Sequence, residues 1–268
     1  MSRILCLRHE PSDTLGLAPG ALRSAGAEPV CVDVWRADPW PDVPTFDAFI
    51  VFGGSMSSLD DAAHPYLDRE RDMLREAMDL GIPTLGVCLG AQLLAQACGA
   101  VVTRAVQPEV GFKPVHLTPE GEAEPVVATF GGGALTFEWH EDVFELPDGA
   151  TVLGTGEGGG LQAYRIGPAV GVQFHPEVTE EELESWIVAS GAELSAAWGR
   201  ESEDFRDEIA REIAAHNERG EALFQTFART ALSARALRVS LQPASPCRRW
   251  VLPARILRPI AWAWRAVR

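Results

Sequence analysis

Residues 83–92 constrain the fold of this chain more than any other stretch. A short apolar run ends at Cys88, which lies between Gly86 and Gly90, and a helical pattern begins immediately afterwards. This pattern predicts a buried strand, a tight turn with the thiol at its apex and a helix whose N-terminus faces the sulfur, the G-x-C-x-G form of a nucleophile elbow. A helix N-terminus favours the thiolate, which is the reactive form of cysteine. A buried packing cysteine flanked by glycines is the alternative interpretation of these residues alone.

The segments around the elbow alternate between strand and helix patterns. Apolar runs predict strands at residues 3–7, 29–34, 48–52 and 83–88, and the third run is almost continuously apolar, as in a strand covered on both faces. Helical patterns lie between or after them at residues 14–25, 65–80 and 89–98. Such alternation predicts a flavodoxin-like α/β fold with a doubly wound, mostly parallel sheet.

After residue 99 the pattern changes. Short strand patterns follow one another without helices of comparable length, which predicts a small antiparallel extension; they lie at residues 101–104, 111–118, 151–154, 161–166 and 169–174. Helical patterns return at residues 179–189, 202–215 and 217–231. We therefore predict a domain at residues 1–190, a C-terminal helical extension at 191–231 and a poorly ordered basic tail, rich in Arg, Trp and Pro, at 232–268. Contact of this tail with an anionic membrane surface is the weaker alternative.

The charge distribution argues against nucleic acid as a partner. The formal charge is −15, but residues 232–268 contain eight arginines and no acid, which leaves 15 basic and 38 acidic groups, or −23, in residues 1–231. An acidic body of this kind repels phosphates. Five widely spaced cysteines argue against a disulfide framework or a zinc site, and we expect neither metal nor cofactor. The expected compartment is the cytoplasm, because the sequence shows no transmembrane-length apolar run and no leader-like N-terminal segment.

A nucleophilic cysteine needs a base, and a third group that orients the base. His175 ends an apolar strand pattern, and sites in open α/β sheets assemble at the carboxyl ends of strands. Residues two apart in an extended segment share a face at about 6.5 Å, so the side chain of Glu177 can reach the ring of His175. On spacing alone, a triad of Cys88, His175 and Glu177 competes with an ordinary strand-to-helix connection that carries a capping acid.

Segments 86–92 and 175–177, about 87 residues apart, together resemble the class I, triad-type glutamine amidotransferases. The likeness extends to residues 52–54, to 64–65 and to 139–142, which are similar to the W-H-x-D segment of stand-alone proteins like the glutaminase domain of GMP synthase. It covers roughly residues 3–190. Glu141 stands where those proteins usually have glycine, which leaves the shape of that segment open.

The resemblance implies a reaction. Cys88 would attack the side-chain amide carbon of glutamine, and His175 would act as general base and then as acid for the leaving ammonia. Glu177 would orient the ring of His175, and water would hydrolyse the resulting γ-glutamyl thioester.

The elbow geometry and the resemblance also suggest how the substrate is held. The backbone N–H of Leu89, next to the nucleophile, points to where the oxyanion of an elbow forms. Residues 53–57 follow the third strand pattern as a turn, which we call the glycine turn, and its Gly54 is expected to supply the second N–H. The expected substrate contacts are Gly53, Gln92, Trp139 and His140. For His140, a position in a surface loop is the alternative.

Three functions remain open at this stage. The first is a glutaminase that passes ammonia to a separate synthetase or acceptor subunit, because no nucleotide-binding loop is present in the sequence. The second is a hydrolase of γ-glutamyl peptides or amides with the same triad; an open groove would favour it, whereas a pocket closed around glutamine would favour the first. The third is a non-catalytic scaffold, against which the intact Cys88, His175 and Glu177 argue.

Overall fold

An eight-stranded sheet forms the centre of the computed structural model, which describes residues 1–37 and 39–241. Its strands run in the order β2 (Ala27–Asp33), β1 (Ser2–Arg8), β3 (Ala48–Val51), β4 (Thr84–Val87), β10 (Ala169–Val172), β9 (Leu161–Ile166), β8 (Thr151–Thr155) and β6 (His116–Leu117). The first five strands pair in parallel and the last three are added antiparallel. The predicted fold class, a mostly parallel sheet with a small antiparallel extension, is confirmed.

A separate two-stranded antiparallel sheet stands beside the carboxyl ends of the central strands. It pairs β5 (Val102–Pro114) with β7 (Leu135–Phe144), and the register shifts between Arg104 and Glu109. The sequence patterns divided β5 into two short strands and gave no strand at β7. The helices are α1 (Ala18–Ser24), α2 (Tyr66–Asp79), α3 (Leu89–Ala97), α4 (Pro119–Ala123), α5 (Glu180–Trp198) and α6 (Ser202–Leu241).

Strand β3 shows how the layers are built. Phe49 and Val51 belong to the hydrophobic cluster under α2 and α3, whereas Ala48 and Ile50 belong to the cluster under α1 and α6. All four side chains are fully buried, because helices cover both faces of the sheet. A third cluster, which includes Phe137, lies between the β5–β7 sheet and the last two helices.

Helix α1 begins at Ala18, four residues later than the sequence pattern indicates. Leu15 and Gly16 have φ values of 64° and 48°, which are incompatible with a helix, and the N–H of Leu17 donates to the carbonyl oxygen of Glu177 at 2.9 Å. A Cβ on Gly16 would lie 1.9 Å from that oxygen. Residues 15–17 therefore pack closely against the segment that follows β10 instead of starting the helix. No local sequence pattern indicates this contact.

The prediction of two helices at 202–215 and 217–231 is wrong, because α6 is one continuous helix. Its midpoint packs on the segment after β10: the buried His216 donates from Nε2 to the carbonyl oxygen of His175 at 2.8 Å. The helix also continues past the predicted boundary at 231, and residues 242–268 of the predicted tail lie outside the described part of the chain. Within that part, none of the helices combines the length and apolar character needed to span a membrane.

Gly220 of α6 provides a test of this packing. A Cβ at Gly220 would lie 2.0 Å from the carbonyl oxygen of Pro176, whereas one at the exposed Gly20 of α1 would meet nothing within 4 Å. Both positions gain helix propensity from alanine, so Gly20→Ala is the matched control and should stabilise the protein by up to about 1 kcal/mol. We expect Gly220→Ala to destabilise it by about 1–3 kcal/mol through overpacking. Urea unfolding measures both free energies, and equal effects would contradict the close approach.

Candidate active site

Cys88 occupies the turn between β4 and α3, and the strand, tight turn and helix predicted there are all present. Its backbone has φ 50° and ψ −109°, a conformation that residues other than glycine rarely adopt. Its N–H donates to the carbonyl oxygen of Val172 at 2.9 Å. A Cβ at Gly90 would lie 1.9 Å from the carbonyl oxygen of Val51, and one at Gly86 would lie 2.6 Å from that of Gly90. The flanking glycines are therefore required by the close passage of the backbone.

His175 and Glu177 follow the end of β10, the strand that pairs with the elbow strand. Nδ1 of His175 lies 2.8 Å from Oε1 of Glu177, and both side chains are buried. With Nδ1–H donated to the carboxylate, the ring turns Nε2 away from Glu177. Nε2 has no nitrogen or oxygen partner among the described residues. The backbone N–H of His175 donates to Phe137 in β7 at 2.9 Å, which fixes the segment from the other side.

Cys88 and His175 meet at Gly53. A Cβ on Gly53 would lie 2.9 Å from Cε1 of His175 and 3.7 Å from Cβ of Cys88, so both side chains border the same small volume. Burial acts to lower the pKa of His175, but the charges and hydrogen bonds of Cys88 and Glu177 outweigh it and hold the pKa well above its usual range. The amide of Gln173 also donates to the sulfur, at 3.6 Å. This environment favours the imidazolium form of His175.

Gly54 and Leu89, the two residues expected to form the oxyanion hole, are neighbours. A Cβ on Gly54 would lie 3.1 Å from Cδ2 of Leu89. Neither backbone N–H is used in a hydrogen bond within residues 1–37 and 39–241. Both are available to an oxygen held between the turn and the helix.

A buried ion pair that the sequence did not indicate orients the glycine turn. His9 donates from Nδ1 to the carbonyl oxygen of Gly53 at 2.8 Å, and its Nε2 lies 2.9 Å from Oε2 of Glu70. Burial lowers the pKa of His9, but Glu70 and the Gly53 carbonyl raise it overall. Because a trans peptide directs its C=O and N–H oppositely, this contact also directs the N–H of Gly54 away from His9. His9 and Glu70 are 61 residues apart, so only the fold reveals the pair.

The Cys88 side chain opens on a cavity of about 250 Å³, which we call the Cys88 cavity. Three of the four expected substrate contacts lie on its wall, namely Gln92, Trp139 and His140. The amide nitrogen of Gln92 is 3.4 Å from both the Asp142 carbonyl oxygen and Oε1 of Gln173, which ties it to the wall. The wall also carries four charged side chains, those of Asp60, Arg104, Glu141 and Asp142.

His140 lies in strand β7 and is buried, so the surface-loop alternative is wrong. Its Nε2 lies 3.1 Å from Oε2 of Glu109 and 3.3 Å from Oε2 of Glu138. Burial lowers the pKa of His140, but these carboxylates outweigh it and raise the pKa to about 10. One ligand atom from each of the three residues lies within 4.8 Å of the others, close enough to hold a metal ion. The protonated ring already supplies the positive charge that the two carboxylates require.

A second cavity, of about 280 Å³, adjoins the first. The two share part of their walls, including Gly54 and Trp139. The second contains His175 and Glu177, and it also contains Gly53, the fourth expected substrate contact. We call it the His175 cavity. The sequence did not indicate it, because its wall combines residues of the loop after β1 with residues of α5, which lie far apart in the sequence.

Comparisons with known proteins agree on one family. The sequence profile of glutamine amidotransferase class-I matches residues 21–192. A glutamine amidotransferase-like protein of Salmonella typhimurium, YfeJ, is 37% identical over 164 residues, which are 60% of this chain and 69% of that protein. A glutamine-hydrolyzing GMP synthase subunit from Saccharolobus solfataricus is 32% identical over 147 residues, 54% of this chain and 74% of that protein.

The fold is similar to that of solved structures from the same family. The crystal structure of a glutamine amidotransferase from Thermotoga maritima superposes with a TM-score of 0.76 at 27% identity, covering 85% of this chain and 98% of that one. The chain therefore belongs to the class-I glutamine amidotransferase family.

Proposed function

We propose that this chain hydrolyses the side-chain amide of glutamine, with Cys88 as nucleophile, His175 as acid and base, and Glu177 as the group that orients His175. One observation carries the proposal: the buried His175–Glu177 pair, 2.8 Å apart, borders a cysteine held at positive φ. A nucleophile, a base in reach of it and a group orienting the base are the three parts that this chemistry needs.

The proposed reaction has two steps. The Cys88 sulfur attacks the amide carbon, and the new oxyanion accepts the N–H groups of Gly54 and Leu89; one such donor contributes about 3–4 kcal/mol. The imidazolium of His175 protonates the leaving nitrogen, the C–N bond breaks and ammonia departs. In the second step His175 takes a proton from water, the oxygen attacks the thioester, and glutamate leaves as the C–S bond breaks.

The walls of the Cys88 cavity suit the amino-acid end of glutamine. Arg104, which pairs with Glu141 and Asp142 on this wall, can also bind the α-carboxylate, while Asp60 and Glu141 offer charges for the α-ammonium. Trp139 supplies an apolar surface for the methylene groups. The imidazolium of His140 lies on the wall of the same cavity as Cys88, so it adds positive charge there.

Ammonia released in this way needs an acceptor. One relative belongs to a glutamine-hydrolyzing GMP synthase, so a separate synthetase subunit is the proposed partner. The second candidate is hydrolysis of γ-glutamyl amides or peptides by the same residues. The His175 cavity favours it, because glutamine itself places only an NH₂ group on that side.

Replacing the nucleophile tests the mechanism. We expect Cys88→Ser to lower glutamate release from glutamine by at least about 10³-fold, because a serine hydroxyl is not ionised in this environment. The exposed Cys31 is the matched control: hydrogen bonding to Cys6 lowers the pKa of its thiol to about 7, so it is a competing reactive thiol. Cys31→Ser should retain full activity. A Cys88→Ser variant as active as wild type would rule out the mechanism.

The same Cys31→Ser background separates an enzyme from a scaffold. A glutamine-shaped diazoketone should modify Cys88 at neutral pH, as read by mass spectrometry, and added glutamine should protect it. Failure to label Cys88, with no turnover of any γ-glutamyl compound, would favour the non-catalytic scaffold.

Glu177→Gln tests the orienting carboxylate through its pH dependence. Burial opposes the charged ring, and the charges of Cys88 and Glu177 raise the pKa of His175, so removing one of these charges lowers it. The imidazolium is then lost at a lower pH, and the alkaline limb of the kcat/KM profile should move to lower pH. We also expect kcat/KM to fall by about 10²–10⁴-fold, the range of general acid–base catalysis.

The exposed Glu76 of α2 gives the matched control, Glu76→Gln, which should match wild type in both rate and profile. An alkaline limb that stays in place in Glu177→Gln would show that the carboxylate does not act on the ring.

A further inference from the structure

The His175 cavity lies where the leaving half of an amide substrate must go. Its wall contains His175, which donates the proton to the leaving nitrogen in the proposed reaction, and Gly54 of the oxyanion hole. In the proposed reaction the acyl half of the substrate binds in the Cys88 cavity, which shares Gly54 and Trp139 with the His175 cavity. A substituent on the leaving nitrogen therefore extends into the His175 cavity.

The size of this cavity exceeds what glutamine needs. It holds about 280 Å³, whereas a molecule as small as water or ammonia takes roughly 30 Å³. The space is thus large enough for an aliphatic amine of several heavy atoms.

The charge on the wall specifies which amine fits. Glu10, Asp13 and Glu177 are acidic, and no lysine or arginine is present among the described residues that line the cavity. Burial raises the pKa of Asp13 to about 7, and the negative charge of Glu177 adds to this shift. Oε2 of Glu177 is buried without a hydrogen-bond partner in the described part of the chain. A cationic group would relieve this repulsion, whereas a carboxylate would add to it.

The apolar part of the wall suits the same ligand. Trp139 and Trp186 meet edge to face, with ring centroids 5.7 Å apart, and Trp186 also packs on the ring of His175. Indole faces bind alkyl chains and cations alike. Glu10 is held on the wall of the cavity, because its carboxylate accepts the N–H and the hydroxyl of Ser55 at 2.9 and 3.0 Å.

From these contacts we propose that the His175 cavity binds a cationic leaving group, so that the chain hydrolyses γ-glutamyl amides of diamines in preference to glutamine or γ-glutamyl peptides. This inference rests on the proposed function of Cys88 and His175. The chemistry is balanced with water alone: the C–N bond breaks, the amine leaves with the proton from His175, and water converts the thioester into glutamate. A γ-glutamyl peptide is disfavoured, because its leaving amino acid carries a carboxylate.

A substrate series that changes only this charge tests the proposal. The γ-glutamyl amides of 1,4-diaminobutane, 1-aminobutane and 4-aminobutanoate carry a positive, a neutral and a negative leaving group of similar length, and glutamine is the reference. We expect kcat/KM to fall in that order, with the cationic amide at least about tenfold above the neutral one. Equal values for the cationic and neutral amides would overturn the proposal.

Glu10→Gln links the preference to the cavity. Glutamine can still accept from Ser55, so the shape is kept while one charge is removed. The ratio of kcat/KM for the cationic amide over the neutral amide should fall at least about threefold, whereas Glu76→Gln should leave the ratio unchanged. A ratio that Glu10→Gln does not change would assign the preference to another part of the protein and overturn the proposal.

Binding to Cys88→Ala, measured by calorimetry, separates this proposal from the function on which it rests. If the cationic amide binds this variant more tightly than the neutral amide but wild type hydrolyses none of the series, the cavity assignment stands and the proposed chemistry fails. If wild type hydrolyses glutamine and all three amides without regard to charge, the chemistry stands and the cavity assignment fails.

Discussion

The site depends on the strained backbone of Cys88. A non-glycine residue at φ 50° costs roughly 1–3 kcal/mol, and it persists only where the surroundings determine it. Here β4 lies between β3 and β10, so that Val51 packs against Gly90 on one side and Val172 accepts the N–H of Cys88 on the other. The two neighbouring strands that hold the turn are also the strands that continue into the glycine turn and into the His175 segment. One constraint therefore brings the proposed nucleophile, the proposed oxyanion donors and the proposed base to the same sheet edge.

The parts of the molecule that were predictable from the sequence are those encoded locally. The apolar runs indicate strands buried on both faces, and the glycines around Cys88 indicate close backbone contacts. The two-residue spacing of His175 and Glu177 is enough to bring their side chains together. The predictions that were wrong concern residues whose local structure depends on a contact with a residue far away in the sequence. Residues 14–17 have a helical pattern, yet they do not form a helix. The N–H of Leu17 donates instead to the carbonyl oxygen of Glu177, which is far away in the sequence. The pairing of His9 with Glu70 likewise has no local signal.

Helix α6 shows the same effect on a larger scale. Its charged outer face suggested two independent helices in an extension, but the inner face supplies Leu223, Phe224 and Phe227 to the main core. His216 and Gly220 then contact the carbonyl groups of His175 and Pro176. Helix α6, which is 40 residues long, thus supports the segment that contains His175, the candidate base.

In the proposed function, the two cavities bind the two halves of an amide with different parts of the fold. The Cys88 cavity is built from the loop after β3, from α3, β5 and β7 and from the C-terminal half of α5, and its wall combines Arg104 with carboxylates, as the zwitterionic end of an amino acid requires. The His175 cavity is built from the loop after β1 and from α5, and its charged groups are acids and the His175 ring. The acidic residues of the loop after β1 line the His175 cavity and not the Cys88 cavity, so under this proposal changes in that loop alter the preference for the leaving group without moving Cys88. Leaving-group specificity can therefore diverge within this fold while the elbow, the most constrained part of the backbone, stays as it is.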